Sequence, residues 1–148
     1  MNEEGDGIME GQVGRICFAR LLEGEDLAEA IKKRTEEKGI KAGIFNVIGT
    51  LKEATIGFYK EGKYYNVRVD GPLEIASCMG NVGVDVKGEV LIHAHLVVSD
   101  EKCETFGGHL MKDSHVGAAA ELVMIEAAGV NLQKTLDPKT KLNLWKLG

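Results

Sequence analysis

Residues 89–98 read Glu89-Val-Leu-Ile-His93-Ala-His95-Leu-Val-Val98. The run is apolar and rich in β-branched residues, and its one carboxylate stands at the start, so it reads as a strand crossing a core. Side chains alternate faces along a strand, which puts His93 and His95 on one face and Ile92, Ala94 and Leu96 on the other. Downstream, a polar stretch at Ser99 to Lys102 marks a turn, and Cys103 to Met111 reads as a returning strand. Upstream lie further short strands: Gly14 to Leu22, Gly43 to Ile48, Ala54 to Tyr59, Tyr64 to Val69, and Leu73 to Met79 ending at Gly80-Asn81. Glu61-Gly62 between two of them is a hairpin signal. One helix is predicted over Glu25 to Lys38, with Leu27, Ala30 and Ile31 as its apolar stripe and Gly39 as its stop. Ala118 to Ala127 fits either a helix or a buried strand. Leu142 to Leu147 reads as a closing strand. The pattern predicts an α+β fold: a mostly antiparallel sheet with a flanking helix. Residues 1–11 are predicted to be a flexible leader, and residues 12–148 a single domain.

Composition narrows the function classes. A chain of 148 residues suits one core. The formal charge of −5 argues against a domain that lives on phosphate contacts. Three cysteines, Cys17, Cys78 and Cys103, without a C-x-x-C spacing read as reduced thiols. No run has the length of a membrane span, and the start of the chain has neither a basic nor an apolar signal segment. The expectation is a cytoplasmic protein with no membrane contact. The 19 glycines sit within apolar, β-branched stretches and point to bulges, tight turns and close backbone approach.

The four histidines, His93, His95, His109 and His115, fall close together in the chain. His109 follows two glycines in Phe106-Gly107-Gly108-His109-Leu110, where the backbone can pack closely. A hairpin through Ser99 to Lys102 would return His109 to the side of His93 and His95. Three neutral imidazoles with an open fourth position suit zinc or another divalent transition ion. Glu121, Asp113 and His115 are candidates for a fourth ligand or an outer partner, and Cys103 is a minor one. A His-x-His pair alone is commonly just two half-exposed histidines. The Gly-Gly-His element tips the reading to a metal.

Other chemistry is sparse. The order Gly88, His93, His95, Glu101, Gly107 approaches a cupin metal motif, but the spacings miss and no second motif follows. There is no P-loop, dinucleotide fingerprint or nucleophile elbow. Tyr59, Tyr64 and Tyr65 read as cross-strand packing. Lys32, Lys33 and Arg34 on the helix are the only local support for DNA binding, and such a run is usually a solvated face.

The segments Gly43-Ile-Phe-Asn-Val-Ile-Gly49-Thr, Ala54-Thr-Ile-Gly-Phe-Tyr59, Leu73-Glu74-Ile-Ala-Ser77-Cys-Met-Gly80-Asn81, His93-Ala-His95 and Gly107-Gly-His109-Leu resemble, in that order, the plants-and-prokaryotes-conserved (PPC) domain. The likeness runs from about Val13 to Trp145. It implies an α+β fold, assembly as a homotrimer, and a metal held by His93, His95 and His109. Glu121 matches a recurrent acid of the family, His115 matches nothing, and no catalysed reaction is implied. Plant members join the domain to an AT-hook, whose Arg-Gly-Arg-Pro core is absent here: the four arginines lie away from both prolines. The sequence therefore predicts an oligomeric module with a divalent-metal or unknown small-ligand site. A DNA-binding regulator and a metal-dependent hydrolase are the alternatives.

Overall fold

The computed structural model describes residues 7–146. Its elements are β1 (Gln12–Leu21), α1 (Leu27–Glu37), β2 (Gly43–Lys60), β3 (Lys63–Val84), β4 (Val90–Ser99), β5 (Thr105–Leu110), β6 (His115–Ala128), β7 (Lys134–Leu136) and β8 (Asn143–Trp145). Six strands form one sheet in the order β1-β6-β2-β3-β4-β5, while β7 and β8 pair separately. All these strand pairs are antiparallel. The fold class is thus as the sequence predicts.

β2 is long enough to serve two neighbours. Its first part pairs with β6, from Gly43 opposite Glu126 to Glu53 opposite His115. Its second part pairs with β5 at Ile56–Leu110 and Gly57–His109. The second pairing curls β2, β3, β4 and β5 into a closed ring. Leu21, Val47, Leu51, Leu96, Leu122 and Met124 fill the core with α1 against them.

α1 forms where the apolar spacing places it, with Leu27, Ala30 and Ile31 buried. Asp26 caps it: Oδ1 accepts from the Glu29 amide at 3.1 Å, an arrangement worth about 1 kcal/mol. Gly39 takes a left-handed φ of 63° just past the last turn. Buried Thr35 satisfies its hydroxyl by donating to the Ile31 carbonyl at 2.8 Å.

Several boundaries differ from the sequence reading. The stretches over 43–48 and 54–59 are one strand, as are those over 64–69 and 73–79. Ala118 to Ala127 is strand: Val116, Ala120, Leu122 and Met124 are buried with the two-residue period of β6. The tail strand pairs with β7, which the sequence reading missed, and not with the main sheet. Of the predicted leader, residues 1–6 lie outside the described residues, and 7–11 carry no helix or strand. Leu147, at the end of the predicted tail strand, also lies outside them.

The turns after β3 and after β4 are built alike. In Asp85-Val-Lys-Gly88-Glu89, the Asp85 carboxylate accepts from the Lys87 and Glu89 amides at 2.8 and 2.9 Å. In Asp100-Glu-Lys-Cys103-Glu104, Asp100 accepts from Lys102 and Glu104 at 2.9 and 3.0 Å. The fourth position is left-handed in both, with φ 82° at Gly88 and 60° at Cys103. A non-glycine residue costs about 1–2 kcal/mol there, less the about 0.4–1 kcal/mol of unfolded-chain entropy that glycine adds. Cys103→Gly is therefore expected to stabilise the fold by about 0.5–1 kcal/mol, measured as a urea midpoint shift at constant slope.

Candidate metal centre

β4 and β5 form the hairpin that the turn at 100–104 closes, and their register sets His95 directly opposite His109. The ring centroids of His93 and His95 are 5.2 Å apart, those of His93 and His109 5.1 Å, and those of His95 and His109 5.9 Å. One ring nitrogen from each lies within 4.8 Å of the others. The structure thus brings together the three histidines singled out in the sequence.

The second glycine of Gly-Gly-His makes this possible. A Cβ on Gly108 would stand 2.5 Å from Ile56 Cγ2 and 2.7 Å from the Gly57 carbonyl. Its absence lets β5 press onto β2 and carries His109 over the ring closure. There the His109 ring lies against Tyr64, with centroids 4.5 Å apart and planes inclined by 31°. Tyr64 in turn meets Tyr59 edge-on at 5.6 Å, the cross-strand packing the sequence suggests.

Burial favours the neutral form of two of these imidazoles, His93 and His109. Burial, aided by the neighbouring His93 and His95, pushes His109 down to about 4. Burial also lowers His93, with Lys134 and His95 adding to the effect. Neutral imidazole is the form that ligates a metal. His109 Nδ1 is buried and has no hydrogen-bond partner, a situation that costs about 1–3 kcal/mol unless something accepts the lone pair or takes the proton. Tetrahedral zinc at about 2.1 Å from each nitrogen spaces its ligands about 3.4 Å apart, so modest ring rotations would close this set. The residues fit such an ion, and the solvent exposure of His93 and His95 leaves a side of it open.

Register also shows what surrounds the site. Residues directly opposite one another share a face. One row runs His93, Asn81, Ile44, Ile125, Ile16. The next runs His109, His95, Met79, Asn46, Val123, Phe18. Ile16, Phe18, Ile44 and Met79 are all more than half exposed. The histidines therefore stand at one side of a broad apolar sheet face.

Beside them lies a cleft of about 250 Å³ lined by Tyr64, His93, His109, Lys134 and residues 141–144. Lys134 is 5% exposed, and its Nζ donates to Asn81 Oδ1 at 2.7 Å. Burial lowers its pKa. The 137–142 loop is tied down where the Tyr59 hydroxyl donates to the Thr140 carbonyl at 2.6 Å. The sequence reading assigned no role to Lys134 or to this loop, because nothing in Lys134-Thr-Leu136 distinguishes a buried lysine from a solvated one.

The other sequence candidates lie apart from the three histidines. Asp113 and His115 gather with Asp26. There, Asp26 Oδ2 accepts from the Asp113 amide at 2.7 Å, and His115 Nδ1 meets Glu53 Oε1 at 2.6 Å. Glu121 is exposed on β6, opposite Ile48 and Arg20. Cys103 is exposed in its turn. Cys78 is buried, which pushes its thiol up to about 12 and leaves it unreactive. The basic run on α1 is largely paired, Lys32 with Glu36 at 3.9 Å and Arg34 with Glu25 at 2.9 Å. No helix among the described residues is long and apolar enough to cross a membrane.

Comparison with known proteins finds the same fold. A metal-containing protein from Archaeoglobus fulgidus superposes with a TM-score of 0.85 at 33% identity, covering 94% of this chain and 98% of its own. A plant- and prokaryote-conserved protein from Pyrococcus horikoshii gives 0.85 at 34% identity, covering 93% and 94%. A structure from Ralstonia eutropha, described as that of a candidate DNA-binding protein, gives 0.77 at 26% identity, covering 88% and 90%. Among curated proteins, the bifunctional protein GlmU of Synechococcus sp. (strain JA-3-3Ab) is 28% identical over 127 residues, which is 85% of this chain but 19% of that protein. The chain thus spans about a fifth of the curated relatives it matches. The profile of the Plants and Prokaryotes Conserved (PCC) domain, the family that the sequence resembles, matches residues 8–128. With its three histidines on a closed antiparallel sheet, the chain belongs to the PCC domain family.

Proposed function

We propose that the chain is a homotrimeric metal-binding module in which His93, His95 and His109 hold a divalent transition ion, zinc foremost, with one position open to a small ligand. The observation that carries this reading is the convergence of three ring nitrogens within 4.8 Å, with the Nδ1 atom of half-buried His109 enclosed and unpartnered. A relative at 33% identity is named metal-containing. The bound ion would supply Lewis acidity at its open position. No carboxylate joins the histidine group or lines the cleft among the described residues, which favours binding over hydrolysis. Trimer formation would cover the apolar face of Ile16, Phe18, Ile44 and Met79, a surface that isolated chains do not usually leave in water. DNA binding receives little support, since the net charge is −5 and the helix cations are mostly paired.

Elemental mass spectrometry of untagged protein tests the metal. Wild type is expected to hold about one ion per chain, and His93→Ala/His95→Ala none. Wild type that takes up no metal after incubation with zinc would return the histidines to a purely structural role.

A further inference from the structure

The histidine cleft carries an unbalanced charge. The chain has 23 acidic residues, yet neither Asp nor Glu lines this cleft among the described residues, whereas Lys134 and Lys141 both do. Neither lysine has an ion pair among the described residues. Lys134 is the sharper case. It is buried at 5% exposure, and among the described residues its one side-chain hydrogen bond is to the neutral Asn81 amide oxygen. An ammonium offers three donors. Lys134 Nζ also lies 5.9 Å from the centroid of the Trp145 ring, a contact that attracts the cation without neutralising it. A buried charge without a counter-charge is costly, and such groups cluster at binding sites.

The rest of the cleft narrows the occupant. Its walls include Tyr64, Leu91, Leu142 and Leu144, which suit a hydrocarbon body. Its volume of about 250 Å³ lies below the range of about 300–1,000 Å³ that holds drug-sized ligands. Neither an arginine nor a helix N-terminus lines it, the two features that most often cradle a phosphate. A single lysine and a neutral amide are a better match for a monoanion.

We propose that this cleft binds a small organic carboxylate, with the carboxylate on Lys134 Nζ and an apolar body against Tyr64 and Leu144. The inference rests on reading the cleft as the functional site but not on the metal itself. If the histidines also hold an ion, a second polar group on the same molecule would reach its open position.

The chain's single tryptophan, Trp145, supplies the readout. Isovalerate, a branched aliphatic acid without near-ultraviolet absorption, is titrated against full-length protein before and after zinc loading, with neutral isovaleramide as its match. Isovalerate is expected to change Trp145 emission saturably. Isovaleramide should bind at least about tenfold more weakly, and Lys134→Met should lose a similar factor for the acid. The acid–amide comparison needs no variant and so stands even if Lys134→Met folds poorly. Isovalerate binding that requires Lys134, in protein that takes up no zinc, would uphold this inference while the metal reading fails. Zinc uptake by the histidines with equal binding of acid and amide would do the reverse. An absence of saturation up to decimolar isovalerate, or displacement of isovalerate by an equal concentration of inorganic phosphate, overturns the proposal.

Discussion

His109→Ala is expected to weaken zinc binding by more than about a hundredfold, the upper end of what is lost when only an outer partner of a metal ligand is removed. The substitution leaves His93 and His95, whose ring centroids are 5.2 Å apart, as a two-ligand site. It also opens the side of the site that Tyr64 covers, so the ion becomes better hydrated. The metal-free variant should behave differently. His109 Nδ1 has no partner, so its removal relieves an unmet polar group, which offsets the packing lost against Tyr64. Competition against a chromophoric chelator gives the affinity, and urea unfolding of the metal-free forms gives the stability. A variant with wild-type affinity would place the ion elsewhere. A metal-free variant several kcal/mol less stable would mean that the ring's packing dominates its role.

Gly108→Val should damage the fold at the point where it closes. Its first added carbon alone meets Ile56 Cγ2 at 2.5 Å and the Gly57 carbonyl at 2.7 Å. The carbonyl belongs to β2, so the backbone of one strand must move. Overpacking of this kind costs about 1–3 kcal/mol, and the two further methyl carbons put valine at about 3 kcal/mol. Because the pairing of Gly57 with His109 sits at the same point, metal affinity should fall with stability. Gly107→Ala is the control. A Cβ there comes no nearer than 3.1 Å, to Val97 Cγ2, a side chain that can yield, so a loss under about 1 kcal/mol is expected. Equal effects at the two glycines would refute the view that β5 is pressed onto β2 through position 108.

The contrast between these glycines illustrates what the sequence could reveal. Strand alternation places His93 and His95 together, and a polar turn brings back His109; both are local rules. The site's three imidazoles were therefore legible. The irregular points of β2 and β3 resemble chain breaks, so in the sequence each strand looks like separate pieces. The register of β2 shifts around Gly49 and again around Lys52, opposite Gly71-Pro72 in β3. Proline is tolerated in a strand at such a bulge, but the sequence alone shows only a proline. Gly80-Asn81 looks like a turn for a similar reason, yet a side chain at 80 would collide with Phe45 and Ala94, so glycine there permits close packing within a continuing strand. Lys134 was invisible because burial of a lysine depends on the path of residues 137–146, which no local pattern determines.

His93, His95 and His109 all belong to the hairpin Val90–Leu110. By contrast, β1 and β6 join residues as far apart as Gln12 and Ala128. Closing a short loop takes little entropy, so a zinc ion can gather these three imidazoles before the ends of the chain meet. The unfolded chain would then compete with the native protein for the metal, and a bound ion would stabilise the fold by less than its native affinity implies.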